Sequence, residues 1–77
     1  MNIRDFKSKL DKREIVEMHN SEDLVQIVKS KLSDVYLFIF NAKPLFGYKT
    51  FSSFAKKANE KIEQYSLVEV TGYYDEN

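Results

Sequence analysis

The longest apolar run lies at the centre of the chain, where six large residues follow one another from Val35 to Phe40. The run is rich in aromatic and β-branched residues, and it ends at the turn-like sequence Asn41-Ala42-Lys43-Pro44, so it predicts a buried strand. Alternation divides its side chains between two faces: Val35, Leu37 and Ile39 on one, Tyr36, Phe38 and Phe40 on the other. Because both faces are apolar, each of them needs a cover.

The pattern before this run predicts a helix, a strand and a second helix. Residues 2–11 place three apolar side chains at helical spacing, and Arg13 to His19 mix apolar and charged positions as a first strand does. Asn20 or Ser21 can cap the next helix by accepting from a free N–H of its first turn. The apolar stripes are Ile3, Phe6 and Leu10 in the first helix and Leu24, Ile27, Val28 and Leu32 in the second.

The pattern after the run predicts a hairpin, a helix and a closing strand. Pro44 favours a turn because it fixes φ and lacks an N–H, and residues 45–50 then return as a strand. Ser52 or Ser53 caps the last helix, whose apolar positions are Phe54, Ala55, Ala58, Ile62 and Tyr65. Residues 66–73 close the fold as a strand, with Val68 and Val70 pointing inward.

This order predicts one α+β domain over residues 1–77. A leading helix (1–11) precedes a βαββαβ core (12–74) and a polar tail (75–77). The core has the split βαβ order of ferredoxin-like domains, which is a four-stranded antiparallel sheet with two helices on one face. If Val35, Leu37 and Ile39 point at the helices, the opposite face of the sheet is open.

The predicted open face is aromatic and provides the candidate partner-binding residues: Tyr36, Phe38, Phe40, Phe46 and Tyr48. Soluble monomers rarely expose so large an apolar patch. Three covers fit the sequence. They are the leading helix, a second copy or another protein, and the bases of a single-stranded nucleic acid.

Two short motifs bear on the nucleic-acid alternative. Phe46-Gly47-Tyr48-Lys49-Thr50-Phe51 resembles the end of the third-strand signature of RNA-recognition motifs, and Ser21-Glu22-Asp23-Leu24 resembles the start of that family's first helix. The resemblance covers six or seven specific positions. It implies that Phe46 and Tyr48 stack on bases.

The charge is unevenly distributed although its sum is zero. Residues 1–24 carry five basic and six acidic side chains, residues 25–61 carry seven and two, and residues 62–77 carry none and four, which gives −1, +5 and −4. A basic middle indicates either a solvated surface or a face that meets an anionic partner. The candidate residues for an anionic contact are Lys43, Lys49, Lys56, Lys57 and Lys61.

The composition provides little for catalysis or metal binding. The chain has no cysteine, one histidine and two glycines, so we expect no metal, no cofactor and no catalytic site. The charged start, without an apolar run, predicts a cytoplasmic protein that does not enter a membrane. A composition rich in lysine, asparagine and isoleucine is typical of AT-rich coding DNA in low-GC bacteria and their phages.

These observations favour a non-enzymatic protein–protein interaction module. Our hypothesis is a phage or mobile-element protein that binds a host factor and inhibits or redirects it by steric occlusion. So small a core also favours self-association, and we expect a homodimer. The alternative hypothesis is a single-stranded nucleic-acid binding domain, in particular for RNA, that uses the sheet aromatics and the lysines.

Overall fold

The fold is given by a computed structural model that describes residues 1–70. The strands are Val16–His19 (β1), Leu24–Lys29 (β2), Tyr36–Phe40 (β3), Lys43–Tyr48 (β4) and Val68–Glu69 (β5). A 3-10 helix at Ile3–Phe6 continues into α1 (Lys7–Asp11), and α2 spans Phe51–Gln64. The strands form one antiparallel sheet in the order β4-β3-β2-β1-β5.

The predicted four-stranded ferredoxin-like arrangement is wrong, because the segment predicted as the second helix is the strand β2. Its apolar residues fit both periods, but only alternation puts Val25 and Ile27 together, and both are fully buried. Leu32, predicted in the helix core, is 99% exposed in the connection to β3. Four consecutive strands therefore form a meander, and α2 carries the chain back to the far edge.

Asn20 stabilises a hairpin turn where a helix cap was predicted. Its side-chain Oδ1 accepts from the backbone N–H groups of Glu22, at 2.7 Å, and Asp23, at 2.6 Å. The backbone N–H of Asn20 donates to the carbonyl of Asp23 at 3.1 Å and closes the turn. The same capping chemistry serves a turn as well as a helix, so this residue alone does not decide between them.

The turn from β3 to β4 is shorter than predicted, so that β4 begins at Lys43, two residues before the predicted start. Asn41 and Ala42 have φ of 49° and 71°, the signs that a two-residue type I′ turn requires. Pro44 consequently lies inside β4, opposite Ile39, where an edge strand tolerates its missing N–H. The register then shifts between Phe38 and Ile39, so that Leu45 is an extra residue in a β-bulge.

Both helical segments cover one face of the sheet, and this is the aromatic face. Phe38 stacks on Phe46 at 4.9 Å between ring centroids, and Tyr36 lies 5.7 Å from Phe54 of α2. The predicted orientation of β3 is therefore reversed. The core comprises Ile3, Leu10, Val16, Met18, Val25, Ile27, Tyr36, Phe38, Phe54, Ala55, Ala58, Ile62 and Leu67.

The leading helix is one of the covers considered from the sequence, and it lies beside α2. Ile3 and Leu10 are fully buried in the core. The Ile3 backbone N–H donates to Oδ1 of Asn59 at 2.8 Å, and the Tyr36 hydroxyl donates to Asp11 at 2.7 Å. Polar contacts thus fix both ends of a segment too short to be stable alone.

The last predicted helix is confirmed as α2, and Phe54, Ala55, Ala58 and Ile62 are its buried face. It begins at Phe51, with Thr50 as the N-cap residue, a little before the predicted serines. The closing strand is represented by β5, which pairs with β1, but Val68, predicted to point inward, is 55% exposed on the opposite face. The rest of that predicted strand, to Tyr73, and the tail 75–77 lie outside the described residues.

Candidate interaction surface

Within residues 1–70, no element covers the face of the sheet opposite the helices, which is mostly aliphatic; we call it the open face. Three cross-strand rows define it in the register of the sheet. The rows are Val28–Leu37–Gly47, Glu17–Gln26–Ile39–Pro44 and Leu24–His19–Val68. Val35 extends the first row, because its Cγ1 lies over Gly47 beside the Leu37 side chain.

Gly47 shapes this surface by letting two side chains lie across β4. A Cβ atom at Gly47 would come within 2.8 Å of both Leu37 Cδ2 and Val35 Cγ1. The side chains of Leu37 and Val35 therefore fill the space over the glycine and form a flat, continuous surface there. This contact is the local reason why Leu37 and Val35 are half-buried although no element within residues 1–70 covers them.

Few polar groups interrupt the open face. The Gln26 side chain donates to the Glu17 carboxylate at 3.0 Å, and the exposed His19 lies two residues further along β1. Among residues 1–70, no lysine or arginine occupies a strand position of this face. Lys29 and Lys43, the two strand lysines, lie opposite Tyr36 and Phe40 and so belong to the aromatic side.

The five predicted partner-binding aromatics all belong to the covered side. Tyr36 and Phe38 are buried, Phe40 and Phe46 are half-buried against the core, and Tyr48 is 37% exposed. Their predicted display on an open face is therefore wrong, because α2 and the leading helix pack on them. A binding role for any of them stays a prediction, and Tyr48 is the most accessible.

The five lysines predicted to contact an anion do not lie together in the structure. Lys56 and Lys57 line a shallow depression with Tyr48, Ser53 and Glu60. Lys49 follows β4 at its Tyr48 end, whereas Lys43 begins β4 at the other end. Lys61 lies in the last turn of α2, with Nζ 6.0 Å from the centre of the Tyr65 ring. They form no single patch, and their role in binding an anion stays a prediction.

A polar cluster around Asp11 joins α1 to the sheet. Asp11 accepts from Lys7 Nζ at 2.7 Å and from the Tyr36 hydroxyl, and Lys29 Nζ lies 3.6 Å away. The bond from Lys7, followed by that from Tyr36, lowers the pKa of Asp11 to about 2. Burial, followed by the bond to Asp11, raises the pKa of Tyr36 to about 12. Neither group is therefore suited to proton transfer near pH 7, and the cluster is a structural tie.

A second ion pair fixes the connection before β3. Nη2 of Arg13 lies 2.8 Å from Oδ1 of Asp34, and Nη1 of Arg13 donates to the carbonyl oxygen of Ser30. The Arg13 guanidinium lowers the pKa of Asp34 through this hydrogen bond. The pair holds the β2–β3 loop against the segment before β1, at the same end of the sheet as the Asp11 cluster.

Neither a metal site nor a membrane-spanning segment is found in the described part of the chain. Residues 1–70 contain no group of three or more histidine, aspartate or glutamate side chains placed to share an ion. No helix of this region has the length and apolar character needed to cross a bilayer. Comparisons with protein-family models, curated proteins and solved structures found no match.

Proposed function

We propose that this protein is a non-enzymatic interaction module that binds another protein chain through the open face. The observation that supports the proposal is the character of this face. Within residues 1–70 no element covers it, most of its side chains are aliphatic, and its described strand positions contain no lysine or arginine. The largest apolar patch on a small domain is often functional, and this character supports an interaction role. It becomes stable when a complementary apolar surface removes it from water.

The character of the surface favours a protein over a nucleic acid. Nucleic-acid binding depends on cations that neutralise phosphates and on exposed rings that stack on bases. The open face has neither lysine nor arginine at its described strand positions, and the phenylalanines of β3 and β4 are packed against α2. A protein with an apolar patch is the partner whose chemistry fits.

The proposed mode of action is steric. Leu37 and Ile39 lie on β3, between β2 and β4, and are central enough to serve as binding anchors. A domain bound through this face covers the partner's surface and prevents other molecules from reaching it. We propose that the protein inhibits or redirects a host factor in this way.

The test compares the full chain with a variant in which Leu37 and Ile39 are both threonine. Threonine keeps the preference for strands but removes apolar surface. Leu32→Thr is the matched control, because Leu32 is 99% exposed and lies off the sheet. Purified candidate partners, identified by cross-linking to the wild-type chain, are titrated calorimetrically against all three proteins.

We expect binding by the wild-type chain and the Leu32 control, with a negative heat-capacity change that marks apolar burial, and loss of binding in the double variant. Equal binding by all three proteins would contradict the proposal. So would salt-sensitive binding of a short mixed-sequence single strand that survives the double substitution, which would support the nucleic-acid alternative.

A further inference from the structure

Leu32 projects from the loop between β2 and β3 and contacts almost nothing of the chain. It is 99% exposed, whereas the other exposed leucines of residues 1–70, Leu24 and Leu45, are 46% and 48% exposed. A lone apolar side chain on a surface is common and needs no explanation by itself. Two further features distinguish Leu32, which are the order of its loop and the charge around it.

The loop holds Leu32 in a fixed position. The N–H of Ser30 donates to the carbonyl of Val35 at 2.8 Å, and the carbonyl of Ser30 accepts from the N–H of Asp34 at 3.1 Å. Oγ of Ser30 accepts from the N–H of Leu32 at 3.2 Å. Arg13 joins the two sides of the loop by donating to the Ser30 carbonyl and to the Asp34 carboxylate. Because the loop is already ordered, presenting Leu32 to a partner costs little conformational entropy.

The end of the sheet that carries this loop is basic; we call it the loop end. β1 begins there, β4 ends there, and α1 ends beside them. Two of its carboxylates are already paired, that of Asp11 with two lysines and that of Asp34 with Arg13. The opposite end of the sheet has Glu22 and Asp23 in the turn between β1 and β2 and is acidic in comparison.

Three lysines of the loop end are exposed. They are Lys12 after α1, Lys31 beside Leu32 and Lys49 after β4. None of them forms an ion pair within residues 1–70, and Glu14 is the carboxylate of this end that forms none in the same range. The loop end therefore combines a projecting leucine with an excess of positive charge.

This combination fits an anionic lipid surface better than a protein or a nucleic acid. The loop residues around Leu32 are polar, so a protein bound there would bury one apolar side chain, far less than a stable interface needs. A nucleic acid would attract the lysines, but its bases stack on rings and not on an aliphatic side chain. A bilayer accepts both groups, because acyl chains surround the leucine while the lysines stay at the headgroups.

We infer that the loop end docks on a membrane surface that contains anionic lipids. Leu32 inserts at the boundary between headgroups and acyl chains, while Lys12, Lys31 and Lys49 contact the headgroups. This peripheral contact goes beyond the proposed function and uses none of the open face. Because the strands then point toward the bilayer, the open face stands at the side of the docked domain, where a protein can still reach it.

The expected contact is weak and reversible. One inserted leucine and three lysines near an anionic surface correspond to a partition constant on the order of 10⁴ M⁻¹, similar to that of a single acyl chain. The bound fraction therefore depends on the lipid concentration, on the content of anionic lipid and on salt.

The first experiment measures co-sedimentation of the full chain with vesicles of phosphatidylcholine, either pure or with about 30% phosphatidylserine. Wild type should bind the mixed vesicles at least about tenfold more strongly than the pure ones. Leu32→Thr should weaken binding to the mixed vesicles about tenfold, because less apolar surface is inserted. Leu45→Thr is the matched control, since Leu45 is half exposed on β4 away from the loop, and it should bind as wild type does. Equal binding by Leu32→Thr and wild type, or no binding by wild type, overturns the inference.

The second experiment removes two charges from either end of the sheet. Replacing Lys12 and Lys31 by glutamine should weaken binding to the mixed vesicles at least about tenfold and leave binding to pure phosphatidylcholine unchanged. The control replaces Lys43, at the start of β4, and Lys61, in the last turn of α2, and should have little effect. Equal losses in both variants would mean that the whole protein is attracted without orientation, and the inference would be wrong.

The third experiment locates the leucine in the bilayer. The chain contains no tryptophan, so Leu32→Trp introduces a single fluorescent probe at the proposed point of insertion. Its emission should shift to shorter wavelength with the mixed vesicles, because the indole leaves water, and lipids brominated in the acyl chains should quench it. Unchanged emission from a protein that sediments with the vesicles would place this side chain outside the bilayer and contradict the inference.

A single-stranded nucleic acid is the competing anionic partner. Binding of a short mixed-sequence strand that requires Lys12 and Lys31 but not Leu32, without binding to vesicles, would assign the loop end to nucleic acid and overturn the inference. Failure of docking is distinct from failure of the proposed function. Protein binding through the open face is measured without lipid, and there Leu32→Thr should behave as wild type does.

Discussion

The two faces of the sheet are both apolar, but they differ in the shape of their side chains and in their cover. The covered face carries the rings of Tyr36, Phe38 and Phe46, which interlock with α2 and the leading helix. The open face carries branched aliphatic residues that contact one another along the sheet. Rings bury the most area for each residue and reach across to a second layer, so they belong where a helical layer meets the sheet. Hydrophobicity alone therefore does not distinguish the covered face of this sheet from the open face.

Phe38 and Leu37 give the sharpest test of this difference, because they are neighbours on β3 with opposite directions. Phe38 is fully buried, and Phe38→Ala should lower the free energy of unfolding by about 3–5 kcal/mol, a large part of the stability of a small domain. Leu37→Ala should lower it by less than about 1 kcal/mol in dilute solution. Urea unfolding followed by circular dichroism measures both, and equal losses would mean that the open face is also a core.

Asp11, which ties α1 over the covered face, should make stability depend on acid pH. The pKa of Asp11 is lowered from 3.8 to about 2. Its contribution to the free energy of unfolding is therefore complete above about pH 4 and is lost as the pH falls from about 4 to about 2. A third of this side chain is exposed, so after solvent screening we expect about 1 kcal/mol. Asp11→Asn should lose this amount at pH 6 and match wild type near pH 2.

The control for this pH experiment is Asp5→Asn. Asp5 is exposed and forms no ion pair within residues 1–70. Its replacement should leave the difference in unfolding free energy between pH 6 and pH 2 as it is in wild type. An equal effect of both substitutions would show that general charge, and not the tie to Tyr36, controls acid stability.

The turn at Asn41–Ala42 sets the register that decides which face each side chain of β4 joins. Ala42 has φ of 71°, where an L-residue is strained and glycine is not. Ala42→Gly should therefore raise the free energy of unfolding by about 0.5–1 kcal/mol without changing the fold. Thermal unfolding measures the gain, and a loss of stability would mean that the hairpin does not use a type I′ turn.

Gly47 provides the smallest effect on stability and the most specific effect on the open face. A Cβ at this position would lie 2.8 Å from Leu37 Cδ2 and Val35 Cγ1 and 3.3 Å from the Tyr36 carbonyl oxygen; because both side chains border solvent and can shift, Gly47→Ala should lower stability by about 0.5 kcal/mol. The same substitution raises the surface over β4 and should weaken association through the open face. Unchanged association with unchanged stability would place the contact away from β4.

The sequence predicted the elements whose pattern has one interpretation. The leading helix and α2 each show one helical period, the central strand is a short continuous apolar run before a turn, and the structure contains all three. The segment around Leu24 was misassigned because Leu24, Ile27 and Val28 fit a helix while Val25 and Ile27 fit a strand. Pairing with both β1 and β3 makes this segment a strand, and this non-local pairing cannot be seen in the local sequence pattern.

The uncovered face of the sheet was predicted with the correct alternation and on the wrong side. Parity separates Leu37 from Phe38, but the position of the helices determines which of them is buried, and that position depends on the whole topology. One local signal pointed to the true arrangement. Gly47 shares the face of Leu37 in the hairpin, and a residue without a side chain contributes little to a core and much to a flat surface.

The edge formed by β4 has a consequence for how the protein behaves when concentrated. Pro44 lacks an N–H, Leu45 bulges out of the ladder, and Lys43 adds a charge, so an incoming strand finds no regular row of partners. Cross-β growth from this edge is therefore blocked. Strand addition at the β4 edge should therefore not contribute to assembly of this protein at high concentration.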